Sequence, residues 1–344
     1  MNNIKYSREA NYNSNIILID GFSGTGKSLT FDLLNAFNGV QIGHSELIFD
    51  YLPILYQFNP DSEDIAKSIL KNRFDEIAYN ICTSRNINFR LKDLSSVFKH
   101  PNWFNYLTNL FKNQPNDDVI EKKIVPNLNI PIWTHATSFN NDFYLKTFGE
   151  RIKILYAVRD PIFSVNNYKN YLDKILFTPR ELQLKYSIDG NEYPWYAKGW
   201  EEEFIKANST EKSIKILSDG YNNLFKNLVK SKSLKEKRIQ IIFFENLILD
   251  TDEYFTTIAN FLSLDFRKDF YDKFKKRNNM PRKSAISTEG YYKRYKERNF
   301  KNFDTVTTKL LSDIEVKVRP IYFENLIYLI EKYYIFKSEF DKNF

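Results

Sequence analysis

Cysteine is almost missing from this sequence. Cys82 stands alone among 344 residues, which excludes an intrachain disulfide and a thiolate metal cluster. Three histidines are too few to suggest a structural zinc site. Long apolar runs are missing too. No stretch approaches the roughly 18 residues that a transmembrane helix needs, so no transmembrane segment is expected. The opening MNNIKYSREANYNSN is polar and lacks an apolar centre, so it does not read as a signal peptide. Residues 1–14 are expected to be flexible, and the cytoplasm is the expected location. Charge of one sign never accumulates. The net +7 suits anionic ligands such as nucleotides or acidic glycans. Its basic residues are scattered among acids in short groups, so nucleic acid is not an expected partner. Glycine is sparse, at ten residues, yet three of the ten fall within six positions, at 21, 24 and 26.

Those three lie in IILIDGFSGTGKSLTFDLL, residues 16–34. An apolar, β-branched run ends at Gly21, Gly-x-x-x-x-Gly-Lys-Ser follows, and an apolar helical pattern comes next. This is a phosphate-binding loop in its required context of strand before and helix after. Gly21, Gly24 and Gly26 allow a tight turn with N–H groups pointing inward, and the following helix adds the positive end of its dipole. Ser23, Gly24, Thr25, Gly26, Lys27 and Ser28 are therefore candidate nucleotide-binding residues. Lys27 supplies a full charge and Ser28 a hydroxyl.

Further along, NIILID (15–20) and IKILYAV (152–158) read as buried strands and RIQIIFFENLI (238–248) as the last clear strand. NIPIWTHA (129–136) and VQIG (40–43) are short strand candidates. Helical periodicity fills most of 45–125 and returns after each later strand. The expected fold is α/β: a P-loop-type parallel β-sheet with helices on both faces, over residues 15–300. A helical insertion at about 45–125 and a C-terminal helical extension at 301–344 complete it. The amphipathic tail IYFENLIYLIEKYYIF is expected to cover the sheet, with a homodimer seam as the alternative. In such a fold the ligand sits at the carboxyl ends of the strands.

The strand 152–158 runs into Arg159-Asp160-Pro161 and then a helix. An arginine at the mouth of a parallel sheet can grip a phosphate with two hydrogen bonds. Asn167, eight residues on, lies two turns into that helix, within reach of the same mouth. The segment resembles the element by which sulfotransferases bind the 3′-phosphate of the donor 3′-phosphoadenosine 5′-phosphosulfate (PAPS). Asn167 stands at the place of the family's serine. Phe244-Glu245-Asn246-Leu247 with the helix to Leu264 is similar to a second family segment. IPIWTHATSF resembles the family strand that carries Thr-His, with His135 lying 24 residues before Arg159. The resemblance, over about residues 15–290, implies a sulfuryl transfer from PAPS to a hydroxyl or amine, for instance of a carbohydrate. It implies His135 as the base and Lys27 as the group that neutralises the leaving oxygen, with no metal. Arg159, Asn167 and the pair Arg282-Lys283 would hold the 3′-phosphate. His44 is the spare base. His100 reads as a packing residue.

Besides Asn167, three features depart from the family: Ser284 replaces the glycine after the Arg282-Lys283 pair, and two more concern lysines. The lysine that precedes the histidine there is Trp133 here, and the loop lysine has moved three residues, from the place of Gly24 to Lys27. That position is the one kinases use. An ATP- and magnesium-dependent phosphoryl transfer therefore stays open, with Asp160 or Glu245 as the metal carboxylate. So does a non-catalytic nucleotide-binding protein. Tyr51, Tyr56, Trp103 and Tyr106 could line an acceptor cleft, though core packing is their more ordinary use.

Overall fold

A computed structural model describes residues 6–8, 12–112, 128–135, 140–230, 238–282 and 305–343. Five parallel strands form the central sheet: β1 (Asn15–Asp20), β2 (His44–Ser45), β3 (Asn129–Trp133), β4 (Ile152–Val158) and, last in the chain, β7 (Ile239–Phe243). Their spatial order is β2-β3-β1-β4-β7. The three central strands are the sequence's most apolar runs, because strands covered on both faces leave no polar side to show. Ile16, Leu18, Ile19, Ile130, Ile132, Ile154 and Leu155 are fully buried.

The register brings Ile19 opposite Trp133, Asp20 opposite Tyr156 and Val158 opposite Phe243. All four long strands thus end at one edge. Gly21, Thr134, Arg159 and Phe244 are the first residues beyond it, so the four segments singled out in the sequence emerge side by side.

Helices surround the sheet. Helix α1 (Lys27–Leu34) follows the glycine-rich loop, and α2 (Leu47–Phe58) and α3 (Glu63–Thr83) pack on each other. After α4 (Trp103–Asn109) and α5 (Asn141–Phe148) comes α6 (Pro161–Ile175), which leaves β4. Asp160 caps α6 by accepting from the Ile162 N–H at 3.1 Å, and Pro161 fills the first turn; both suit a helix start. Helices α7 (Glu201–Lys206) and α8 (Ser209–Lys230) precede β7. Helices α9 (Phe244–Leu249), α10 (Thr251–Leu262), α11 (Lys268–Asn278), α12 (Thr305–Glu315) and α13 (Pro320–Asn343) follow it. The tail does cover the fold: α13 packs on α6 and α8. Phe336 stacks on Phe225 with ring centroids 4.2 Å apart.

Three expectations shift. The strand expected at 40–43 becomes β2 at His44–Ser45, with Val40 making only an isolated bridge to Asn129. The strand expected to reach 248 ends at Phe243, where α9 begins. A two-stranded antiparallel hairpin, β5 (Lys185–Ile188) and β6 (Asn191–Pro194), occupies a stretch to which the sequence reading assigned no element.

Candidate active site

The loop between β1 and α1 holds Gly21, Gly24 and Gly26 at φ of 143°, 87° and 97°. The neighbours also demand glycine. A Cβ on Gly24 would stand 2.7 Å from the Asn167 Cβ, and one on Gly26 would stand 2.6 Å from the Phe244 ring. The loop is therefore clasped between the helices that follow β4 and β7. Thr25 is turned inward, donating from Oγ1 to the Phe22 carbonyl at 2.8 Å, so its hydroxyl shapes the turn rather than facing a ligand. Ser23 is half-buried and Ser28 exposed, and both line the adjoining cavity.

Lys27 is only 4% exposed. Its Nζ donates to the Thr134 carbonyl at 2.8 Å and lies 5.7 Å from the Trp133 ring centre. The loop lysine thus ends beside the residues that lead into His135. Burial lowers its pKa to about 8, against the pull of Asp20 and Asp50. Near neutral pH it keeps its proton, with little water to screen it.

His135 follows the end of β3. Its backbone N–H donates to Asp50 Oδ1 at 2.6 Å, and its Nδ1 donates to Asp50 Oδ2 at 3.0 Å. Asp50 lies on the buried face of α2. Burial pushes its carboxyl above the usual range, and the contacts with His135 pull the other way. The two bonds fix the imidazole in one orientation with Nδ1 protonated, which leaves Nε2 as the free lone pair. The other two histidines differ. Burial drops both His44 and His100 to about 4. His100 is held by the Val40 carbonyl at 3.0 Å and the Asn102 N–H at 3.1 Å. His44 lines neither cavity described below.

Two cavities meet at His135. One, of about 590 Å³, is lined by the loop, by Phe244 and by Lys27, Lys99, Arg277 and Arg282. Its one carboxylate, Asp32, is taken up by Arg277, bound through Nε at 3.2 Å and Nη2 at 2.6 Å, and by Asn278 at 2.9 Å. Burial, and after it the charge of Arg159, lowers the Arg282 pKa. This cavity favours a multiply charged anion. The second, of about 380 Å³, is walled by Tyr51, Tyr168, Tyr171, Trp195 and Tyr196. Ser23, His135 and Tyr171 line both.

Arg159 does not face the first cavity. It is 3% exposed, donates from Nη1 to the Gly24 carbonyl at 3.1 Å and lies 4.3 Å from the Phe244 ring centre. The loop bends back over the strand end and covers it, so here it braces the loop. Asn167 packs over Gly24 on the same side. Arg282 reaches the cavity, while Lys283 lies outside the described residues. Of the aromatics expected in an acceptor cleft, only Tyr51 lines the second cavity. Tyr56 stacks on Phe143, Trp103 sits between Phe98 and Phe104, and Tyr106 donates to Gln41.

The carboxylates nominated for magnesium point inward. Asp160 Oδ2 accepts from the Tyr334 hydroxyl at 2.5 Å. Glu245 accepts from the Asp160 N–H at 2.9 Å and the Tyr333 hydroxyl at 3.0 Å. Both side chains are fully buried. Among the described residues, no group of three or more His, Cys, Asp or Glu is arranged to hold a metal ion, and no helix is long and apolar enough to cross a membrane. Sequence reading missed Asp50, Lys99, Arg277 and Tyr171. For Asp50 a signal existed: a carboxylate on the apolar face of LIFDYL needs a buried partner.

No protein family profile matches the sequence, and no curated protein matches it. The chain is similar to solved structures of sulfotransferases, among them the following three. One is the sulfotransferase domain of the Synechococcus PCC 7002 olefin synthase, at 13% identity and a TM-score of 0.44 over 96% of this chain and 98% of that one. Another is the sulfotransferase domain from the curacin biosynthetic pathway, at 10% identity and a TM-score of 0.42 over 90% and 99%. The third is mouse sulfotransferase SULT7A1 complexed with PAP, at 13% identity and a TM-score of 0.34 over 95% and 91%.

Proposed function

We propose that this chain transfers a sulfuryl group from PAPS to a hydroxyl acceptor. The observation that carries the reading is the His135–Asp50 pair standing where a cationic cavity meets an aromatic one. A base is needed at such a junction, because the acceptor oxygen attacks from one side while the donor lies on the other.

In this reading the donor supplies an activated S–O bond, which breaks as the acceptor oxygen bonds to sulfur and the 3′,5′-bisphosphate leaves. His135 Nε2 takes the acceptor proton, and Asp50 holds the imidazole and stabilises the imidazolium. The loop N–H groups hold the 5′-phosphate. Lys27 faces the charge that grows on the bridging oxygen, in a dry site where it counts for more than in water. Arg282, with Arg277 and Lys99 near it, provides charge for the 3′-phosphate.

The phosphoryl-transfer alternative needs a carboxylate facing the nucleotide to hold magnesium. Asp160 and Glu245 instead cap α6 and hold Tyr333 and Tyr334, which weighs against them in that role. Calorimetry with 3′-phosphoadenosine 5′-phosphate, against ATP with magnesium, tests the choice. Tight, magnesium-independent binding of the bisphosphate is expected. Binding of ATP–magnesium alone would overturn the reading.

A further inference from the structure

The second cavity carries information about the acceptor. Its volume of about 380 Å³ lies at the small end for sites that enclose a small molecule. Its walls are aromatic and aliphatic: Tyr168 and Tyr171 lie with centroids 5.5 Å apart, Trp195 and Tyr196 with centroids 5.7 Å apart, and Leu47, Ile54 and Ile175 join them. Burial raises the pKa of Tyr168 and Tyr196, so these rings stay neutral. Only two lining side chains carry charge: Asp50, which is committed to His135, and the exposed Arg180. The neighbouring cavity is lined by four cations. An acceptor with several carboxylates or sulfates would bring more negative charge than Arg180 alone can offset.

One polar atom in this wall is left over. Gln183 Nε2 donates to the Tyr171 hydroxyl at 2.9 Å. Gln183 Oε1 is buried and meets no hydrogen-bond partner among the described residues. An orphan buried acceptor is costly and is expected to find a partner, in water or in what binds.

We infer that the acceptor is an uncharged ring compound with two donor groups. One hydroxyl lies at His135 and receives the sulfuryl group, and a second O–H or N–H donates to Gln183 Oε1. Gln183 is then a specificity-determining residue, and Tyr171, shared by both cavities, positions it. This rests on the sulfuryl-transfer reading for the chemistry of the first hydroxyl, but not for binding.

The test uses the full chain and three matched probes: a dihydroxynaphthalene, its monomethyl ether and a hydroxynaphthoate. Binding is read from quenching of tryptophan fluorescence, with and without 3′-phosphoadenosine 5′-phosphate, and turnover from sulfate transfer with PAPS. The diol is expected to bind about tenfold more tightly than the ether, the worth of one hydrogen bond, and the hydroxynaphthoate more weakly still. Gln183→Leu should bring diol and ether within about twofold by weakening the diol alone; Gln183→Met checks the same point with less change of shape. Preference for the hydroxynaphthoate, equal binding of diol and ether by the unaltered protein, or equal weakening of both by the variants would overturn the inference. If ring compounds bind as expected but the bisphosphate does not, the donor reading has failed and this one stands.

Discussion

His135 Nδ1 lies 3.0 Å from Asp50 Oδ2, and the His135 backbone N–H lies 2.6 Å from Asp50 Oδ1. One carboxylate thereby orients both the ring and the chain that carries it. Asp50→Asn keeps the volume but turns an N–H₂ or a weaker acceptor toward Nδ1. The imidazole is then no longer held with Nε2 free. Single-turnover sulfate transfer with saturating PAPS should fall by about two to four orders of magnitude. Affinity for 3′-phosphoadenosine 5′-phosphate should change far less than turnover, because Asp50 lines the aromatic cavity and not the cationic one. His135→Ala should lose at least about two orders. Near-normal turnover in either variant would remove the pair from the chemistry.

Lys27 makes donor binding sensitive to alkali. Its pKa in the fold is about 8, against 10.5 for the unperturbed group, because burial disfavours the ammonium. Between about pH 8 and 10.5 the unfolded chain binds more protons at this position, so its contribution to stability improves as pH rises. Affinity for the bisphosphate moves the other way, since the anion needs the proton on Lys27. Calorimetric Kd values should weaken by up to about tenfold per unit above about pH 8. In Lys27→Met the curve should be flat there and the affinity uniformly poor. A Kd with no inflection in the unaltered protein would show that the anion does not meet Lys27.

Gly26 is held by geometry on two counts. Its φ is +97°, and a Cβ would fall 2.6 Å from the Phe244 ring, which cannot yield freely because Arg159 lies against it at 4.3 Å. Gly26→Ala should cost about 2–4 kcal/mol, from left-handed backbone and overlap together, and should abolish bisphosphate binding. Gly190 offers the comparison. It also has positive φ, at +80°, but meets nothing within 4 Å. Gly190→Ala should cost about 1 kcal/mol with donor affinity unchanged. Equal thermal shifts in the two variants would show that the contact with Phe244 does not matter.

What sequence reading could reach here followed from how local each signal was. The strands β1, β3 and β4 announced themselves because a doubly covered strand must be apolar throughout. The glycine loop did so because its backbone requires glycine at fixed spacing. The hairpin was not read, although Asp189-Gly190, with φ of 50° and 80°, is a pair that favours such a turn; its flanking strands are only four residues long and too polar to stand out. Other facts were not local. Whether Arg159 would point at a ligand or under the loop depends on how residues 21–26 fold back over it. That Asp50 meets His135 depends on where α2 lands beside β3, some 85 residues away in sequence. Arg277 entered the cavity through α11, a helix that the sequence reading did not separate from its charged surroundings.

Arg282 allows the two phosphates of the donor to be separated. It lines the cationic cavity, its backbone N–H is anchored to the Ile248 carbonyl at 2.6 Å, and its Nε donates to the Asn278 carbonyl at 3.2 Å. Among the described residues the remaining guanidinium nitrogens are available to an anion. Asp32, which Arg277 already occupies, does not offset Arg282. If Arg282 meets the 3′-phosphate, Arg282→Ala should weaken 3′-phosphoadenosine 5′-phosphate by about 10- to 100-fold, the worth of a charge-assisted hydrogen bond. Adenosine 5′-phosphate, which lacks that group, should bind the variant and the unaltered protein within about twofold of each other. Equal weakening of both nucleotides would place Arg282 at the 5′-phosphate or in the fold, and the discrimination of PAPS from ATP would then have to come from Arg277 and Lys99.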